Sequence, residues 1–302
     1  MVNDKIVLKS VRYILLVCLL SVVSYVQAQR SLKDDIDSLL QGKKATVGVA
    51  VVYDGQAPFT YNNDHRYPLM SVFKFHLALT VLDHLDKDDL PLDTEVFVGK
   101  ADLLPDTWSP LRDARPEGNF KISVADLLRY SISQSDNNAC DILLRFVGGT
   151  RAVDSYVRGL GIENFEIKAT EEQLNEAFDC QYLNWATPLS VIQLMEKFHR
   201  EPMFENPVYK EFLQETLIET STGNDKLKAG LPEDAVLGHK TGSSGRNKEG
   251  IKAGDNDMGF VRLPDGRQYS IAVFVSDSKE DDKTNAAIIA GISRKVYEYG
   301  RR

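Results

Sequence analysis

The chain has 302 residues, 43% hydrophobic and 26% charged, which excludes a disordered or collagenous chain and allows one large domain or two smaller ones. Its formal net charge is −8 and it has no basic block, which excludes nucleic acid and anionic membranes as partners. The acidity serves solubility only.

Residues 1–28 read as an export signal. Lys5, Lys9 and Arg12 form a positive start, residues 13–26 are mostly apolar, and Val26-Gln27-Ala28 offers a cleavage site. The apolar run is short for a retained membrane anchor. Val17 before Cys18 argues against a lipoprotein. Losing the segment takes the formal charge from −8 to −10. Cys140 and Cys180 then remain, either bridged or as two reduced thiols.

Leu32, Ile36, Leu39 and Leu40 follow helical spacing. Residues 45–53 are rich in valine and predict a strand, turned by Asp54-Gly55. Helices are predicted over 71–85, apolar nearly all round and therefore buried, and from a Ser123/Asp126 capping box through Tyr130. Another spans 138–146, closed by Gly148-Gly149. Two more, 188–199 and 207–219, each start at a proline. Strands return at 236–241, 258–263 and 269–275, with Pro264-Asp265-Gly266 turning between the last two, and residues 286–299 close as a helix. The expected class is α/β of the α+β kind: an antiparallel sheet flanked by the terminal helices, plus an all-helical lobe. The sheet domain takes 29–67 and 220–302, the helical lobe 68–219. A small-molecule site is expected between them.

Three short motifs stand in order: Ser71-Val72-Phe73-Lys74, Ser135-Asp136-Asn137 and Lys240-Thr241-Gly242. A serine three residues before a lysine shares a helical face with it, so a hydroxyl nucleophile gains a nearby amine base. Burial would favour the neutral amine of Lys74. The other motifs add a second hydroxyl, an amide and a second cation, which together suit acyl transfer from a substrate bearing a carboxylate. Each motif alone is weak. Ser276-Asp277-Ser278-Lys279 also fits the first pattern and reads as a strand end.

Together the three resemble the known signature of class A β-lactamases and penicillin-binding proteins. Glu171-Glu172-Gln173-Leu174-Asn175 resembles the Ω-loop segment of class A enzymes, and Thr187-Pro188 the end of that loop, here about 168–188. The resemblance spans the mature chain and is nearest the branch with cephalosporinases and extended-spectrum enzymes of gut anaerobes. It implies that Ser71 attacks the lactam carbonyl, Lys74 accepts a proton directly or through water, and Ser135 passes a proton to the leaving nitrogen. Glu171 would activate the deacylating water, which Asn175 helps to hold. Asn137 would bind the side-chain amide, and Lys240, Thr241 and Ser243 the carboxylate. Backbone N–H groups of Ser71 and Ser243 would form the oxyanion hole, each worth ~3 kcal/mol. Asp136 is expected to be structural. Trp108 either lines the mouth or anchors a loop.

Two departures from the family stand out. Ala169 and Asn184 occupy the positions of an arginine–aspartate pair that pins the Ω-loop in many members. The loop is therefore expected to be roomier, differently folded or held by another clamp, with a Cys140–Cys180 bridge as one candidate. Lys226 occupies a position where some members carry a carboxylate-binding arginine; a surface lysine is the alternative. No cofactor or metal is expected, since His65, His76, His84, His199 and His239 form no zinc-ligand pattern and no phosphate loop follows a strand. The expected protein is a periplasmic monomer that hydrolyses β-lactams, cephalosporins above all. A penicillin-binding D,D-peptidase should lack the role of Glu171. A non-hydrolytic β-lactam sensor should carry a further transmembrane and signalling region.

Overall fold

The computed structural model describes residues 32–301; the expected export signal lies outside them. In chain order these residues form α1 (32–40), β1 (Thr46–Tyr53), β2 (Phe59–Tyr61), β3 (Tyr67–Pro68), α2 (Phe73–Lys87), β4 (Glu95–Val98), α3 (Pro110–Ala114) and β5 (Phe120–Ser123). Then come α4 (Val124–Ser133), α5 (Asn137–Phe146), α6 (Thr150–Gly159), β6 (Phe165–Glu166), α7 (Glu171–Leu174), β7 (Trp185–Ala186), α8 (Pro188–Arg200) and α9 (Pro207–Ile218). β8 (Val236–Ser243), β9 (Lys252–Arg262), β10 (Gln268–Ser278) and α10 (Asp282–Gly300) complete the chain.

The main sheet is antiparallel, in the order β2-β1-β10-β9-β8. Terminal strands pair because β1 is a valine-rich run with both faces to bury. Val47, Val49 and Val51 face one core with Ile271, Val273, Leu32, Ile36 and Ile292, so α1 and α10 cover this side. Ala50, Val52, Ala272 and Phe274 point the other way, into the larger core of the helical segment. The β9–β10 hairpin turns at Gly266, whose φ of +86° suits glycine.

α2 forms the centre of the larger core: Phe73, Phe75, Leu77, Leu79, Val81 and Leu82 are fully buried. Truncating one of these leucines to alanine removes contacts worth ~2–5 kcal/mol. Asp136, Thr187 and Asn206 cap α5, α8 and α9 through their side chains. Ser123 caps α4 by accepting Asp126 N–H, while the Asp126 carboxylate pairs with Arg129 at 3.0 Å rather than closing a reciprocal box. Gly148 and Gly149 end α5 with φ of +92° and +93°. The helical middle also carries a β4–β5 ribbon and a small sheet in the order β3-β7-β6 that the sequence reading did not include.

Candidate active site

Ser71 lies on a 3-10 turn, Met70–Val72, that leads into α2, not on the α-helix itself. The spacing still brings Lys74 beneath it, with Nζ donating to Ser71 Oγ at 3.0 Å. β8 passes close by: a side chain at Gly242 would meet Leu69 O at 2.7 Å and Ser71 N at 3.1 Å. Glycine is therefore what lets the third motif reach the first.

Lys74 is fully buried and meets three further acceptors. They are Ser135 O at 2.8 Å, Asn137 Oδ1 at 2.6 Å and Glu171 Oε1 at 3.0 Å. Ser71 Oγ also donates to Glu171 Oε1 at 3.3 Å. Ser135 has a left-handed φ of +60°, a strained conformation for a serine. That conformation sends its carbonyl to Lys74, while its Oγ accepts from Lys240 Nζ at 2.9 Å. Lys240 is fully buried and also donates to Thr241 O at 2.7 Å. Burial and the nearby Lys74 push its ammonium well below the ordinary lysine value.

Asp136 is structural, as expected. Its buried carboxylate accepts Leu111 N–H at 2.6 Å and Ala139 N–H at 2.8 Å, and Ser109 Oγ at 3.0 Å. Burial raises its pKa against these donors.

Glu171 opens α7, a helix of four residues inside the expected Ω-loop. Thr170 and Gln173 form its capping box. Asp141 of α5 accepts the N–H groups of Glu171 and Glu172 at 2.8 and 2.9 Å, which fixes Glu171 over Lys74. Burial lifts the Asp141 carboxyl to about 6. Asp141 was not singled out from sequence, although it stands four residues after Asn137 on one helix face.

Asn184 supplies the clamp at the neck of the loop. Its Oδ1 accepts from Lys168 N at 2.8 Å and Ala169 N at 2.9 Å, and its Nδ2 donates to Ala169 O at 2.8 Å. The bridge considered from sequence is absent: Cys140 and Cys180 are both free, Cys140 buried in the core and Cys180 partly exposed in the 3-10 turn Phe178–Tyr182. A backbone-bonding asparagine does the work proposed for a disulfide.

Two of the remaining predicted residues, Asn137 and Asn175, meet at one hydroxyl. Asn137 Nδ2 and Asn175 Nδ2 both donate to Thr107 Oγ1, at 2.7 and 3.1 Å. Thr107 was missed, since nothing local marks it. Trp108 is 61% exposed and its indole N–H bonds Gln134 O at 2.9 Å, so it ties a loop. Thr241 Oγ1 lies 2.6 Å from Thr222 Oγ1, and Ser243 is exposed at the end of β8. Lys226 departs from both expectations. It is buried under β8, with Nζ 2.6 Å from Asp255 Oδ1 and 3.5 Å from Gly242 O. Its charge is committed to Asp255, so it is neither a surface lysine nor a free receiver for a carboxylate. Ser276 and Lys279, the second match to the first motif, sit at the end of β10, far from this cluster in role and partners.

Comparison with known proteins places the chain in a family. The profile of a family described as the β-lactamase enzyme family matches residues 31–300. A β-lactamase of Bacteroides uniformis is 48% identical over 284 residues, covering 94% of this chain and 96% of that protein. The extended-spectrum β-lactamase PER-1 of Pseudomonas aeruginosa is 40% identical over 269 residues, covering 89% of this chain and 87% of that one. Among solved structures, the TLA-1 extended-spectrum β-lactamase superposes with a TM-score of 0.88 at 47% identity, covering 90% of this chain and 99% of that one. A class A β-lactamase from Bacteroides cellulosilyticus gives 0.87 at 50% identity, covering 90% and 98%.

Proposed function

The chain belongs to the β-lactamase enzyme family, on its class A serine branch among enzymes of gut anaerobes, and from that membership we propose that it opens β-lactam rings through an acyl-enzyme on Ser71, with cephalosporins preferred. The preference draws on relatives named as extended-spectrum enzymes. β-Lactam hydrolysis confers resistance to these antibiotics.

One observation carries the mechanism. A single Glu171 oxygen lies 3.0 Å from the Lys74 amine and 3.3 Å from the Ser71 hydroxyl. In acylation the Ser71 proton leaves to Glu171 or to Lys74 in its neutral form, both within reach, and Oγ bonds the lactam carbonyl carbon. The ring C–N bond breaks, and its nitrogen takes a proton from Ser135, which Lys240 supports at 2.9 Å. Lys240, Thr241 and Ser243 receive the substrate carboxylate, with Lys226 held back from it by its pairing to Asp255 at 2.6 Å. Water then attacks the ester carbonyl with Glu171 as base and Asn175 as its second contact, the acyl C–O bond to Ser71 breaks, and Oγ takes back a proton. Such a carboxylate is what a D,D-peptidase reading would lack.

We read residues 1–28 as an export signal delivering a monomer to the periplasm. The reaction is tested by mixing the mature protein with a chromogenic cephalosporin and following absorbance and intact mass together. Turnover with unchanged final protein mass is expected. A stoichiometric mass gain without turnover would move the protein to the penicillin-binding or sensor readings.

A further inference from the structure

Ser71 works from a strained turn. Met70, the residue before it, has a left-handed φ of +49°, which a methionine keeps only where its surroundings hold it. Leu69 O closes the turn by accepting Val72 N–H at 3.1 Å. Leu69 N–H donates to Asn184 O at 2.8 Å, so this side of the segment hangs from the neck of the Ω-loop.

β9 holds the other side through one side chain that the sequence reading did not single out. Asn256 is fully buried and stands opposite Gly242 in the β8–β9 register. Its Nδ2 donates to Pro68 O at 2.8 Å and to Leu69 O at 3.2 Å, which uses both hydrogens of the amide. Its Oδ1 is buried with no hydrogen-bond partner among the described residues. Turning the amide over would set that oxygen against two carbonyl oxygens. An unpaired buried acceptor is costly, so what this position supplies to the fold is its donor face. The approach is close: a side chain at Gly254, also on β9, would meet Met70 Cγ at 2.8 Å and Pro68 O at 3.2 Å.

We propose that Asn256 is a positioning residue for acyl transfer. By holding the two carbonyls just before Met70, it fixes where Ser71 presents its Oγ and its N–H. Being fully buried, it acts through the turn rather than on the substrate. This rests on the hydrolysis reading above.

The test is run in a Glu171→Gln background, where the acyl adduct accumulates. Its formation with a chromogenic cephalosporin is followed by rapid quenching and intact mass. Adding Asn256→Leu, of similar size and without a donor, is expected to lower the limiting acylation rate by about 10–100-fold, the scale of a misplaced reacting group. The half-saturating cephalosporin concentration should change by less than about threefold, because Lys240 and Thr241 remain. The ester carbonyl band of the trapped adduct should move to higher infrared wavenumber, since a displaced Ser71 N–H polarises it less. A residue that only supports the fold would not move that band. Asn256→Asp carries the test if Asn256→Leu does not fold. Its carboxyl has one donor when protonated and none when ionised, so its acylation rate against the Glu171→Gln parent should fall as pH rises. An unchanged rate and band, or an Asn256→Asp ratio near one at every pH, overturns the proposal while leaving hydrolysis intact. So does a loss confined to half-saturation. If the Glu171→Gln protein alone forms no adduct, the hydrolysis reading fails and this proposal falls with it.

Discussion

Lys74 and Glu171 form a buried ion pair at 3.0 Å, their side chains 0% and 9% exposed. Removing one partner of such a pair strands the other charge, which typically costs ~3–5 kcal/mol. The pair therefore links stability to turnover at the same two residues.

Glu171→Gln should separate the two half-reactions. Acylation through neutral Lys74 needs only the Ser71 hydroxyl and the Lys74 amine, 3.0 Å apart, both of which remain. Deacylation loses its base and should slow by about 10²–10⁴-fold. Intact mass after mixing with a cephalosporin should show a persistent acyl adduct. A variant that deacylates at the unmutated rate would remove Glu171 from the role given to it.

Asn184→Ala should loosen the loop neck. The substitution deletes three side-chain bonds to residues 168 and 169, each worth about 1 kcal/mol net. Melting temperature should fall, and amide exchange should rise across 168–184 more than in the main sheet. Turnover should fall too, because Glu171 follows directly from the freed segment. Uniform exchange across the chain would show that Asn184 is not the clamp.

Lys240 should impose an alkaline limit on substrate binding. Burial and Lys74 lower its pKa, so its charge is lost at a pH where an ordinary lysine keeps it. The kcat/KM for carboxylate-bearing substrates should fall as pH rises through that point. Lys240→Arg should move the limb upward, since a guanidinium stays protonated. For stability the sign is the reverse: a depressed lysine costs stability below its folded pKa, and the cost fades as pH rises towards 10.5.

His76 should contribute to acid sensitivity. It is fully buried on α2 with its ring 5.9 Å from that of Phe165, and burial lowers its pKa from 6.5 to about 4. The unfolded chain binds the proton first, so stability should fall as pH drops from 6.5 towards 4. The contribution is about 3 kcal/mol at its limit. His76→Phe should flatten the melting temperature over that range relative to the unmutated protein. His199, lowered to about 3 by burial and neighbouring cations, should leave a residual slope. Identical pH curves for both proteins would show that His76 does not titrate on unfolding.

Much of this protein is legible in its residues one after another. The valine alternation of β1, the prolines opening α8 and α9, and the double glycine after α5 are local signals, and each acts within a few residues. The three motifs and the Glu171–Asn175 spacing carry the resemblance to the family to which the chain belongs. What the sequence alone left open lies in contacts between distant segments. Ser71 meets Glu171 across 100 residues, and Lys240 meets Ser135 across 105. Whether Cys140 reached Cys180, whether Lys226 stood free or faced Asp255, and that Thr107 joined two amides were decided only by tertiary packing. Side-chain chemistry is a property of the residue, but a hydrogen bond needs partners within about 3 Å, and tertiary packing alone sets that distance.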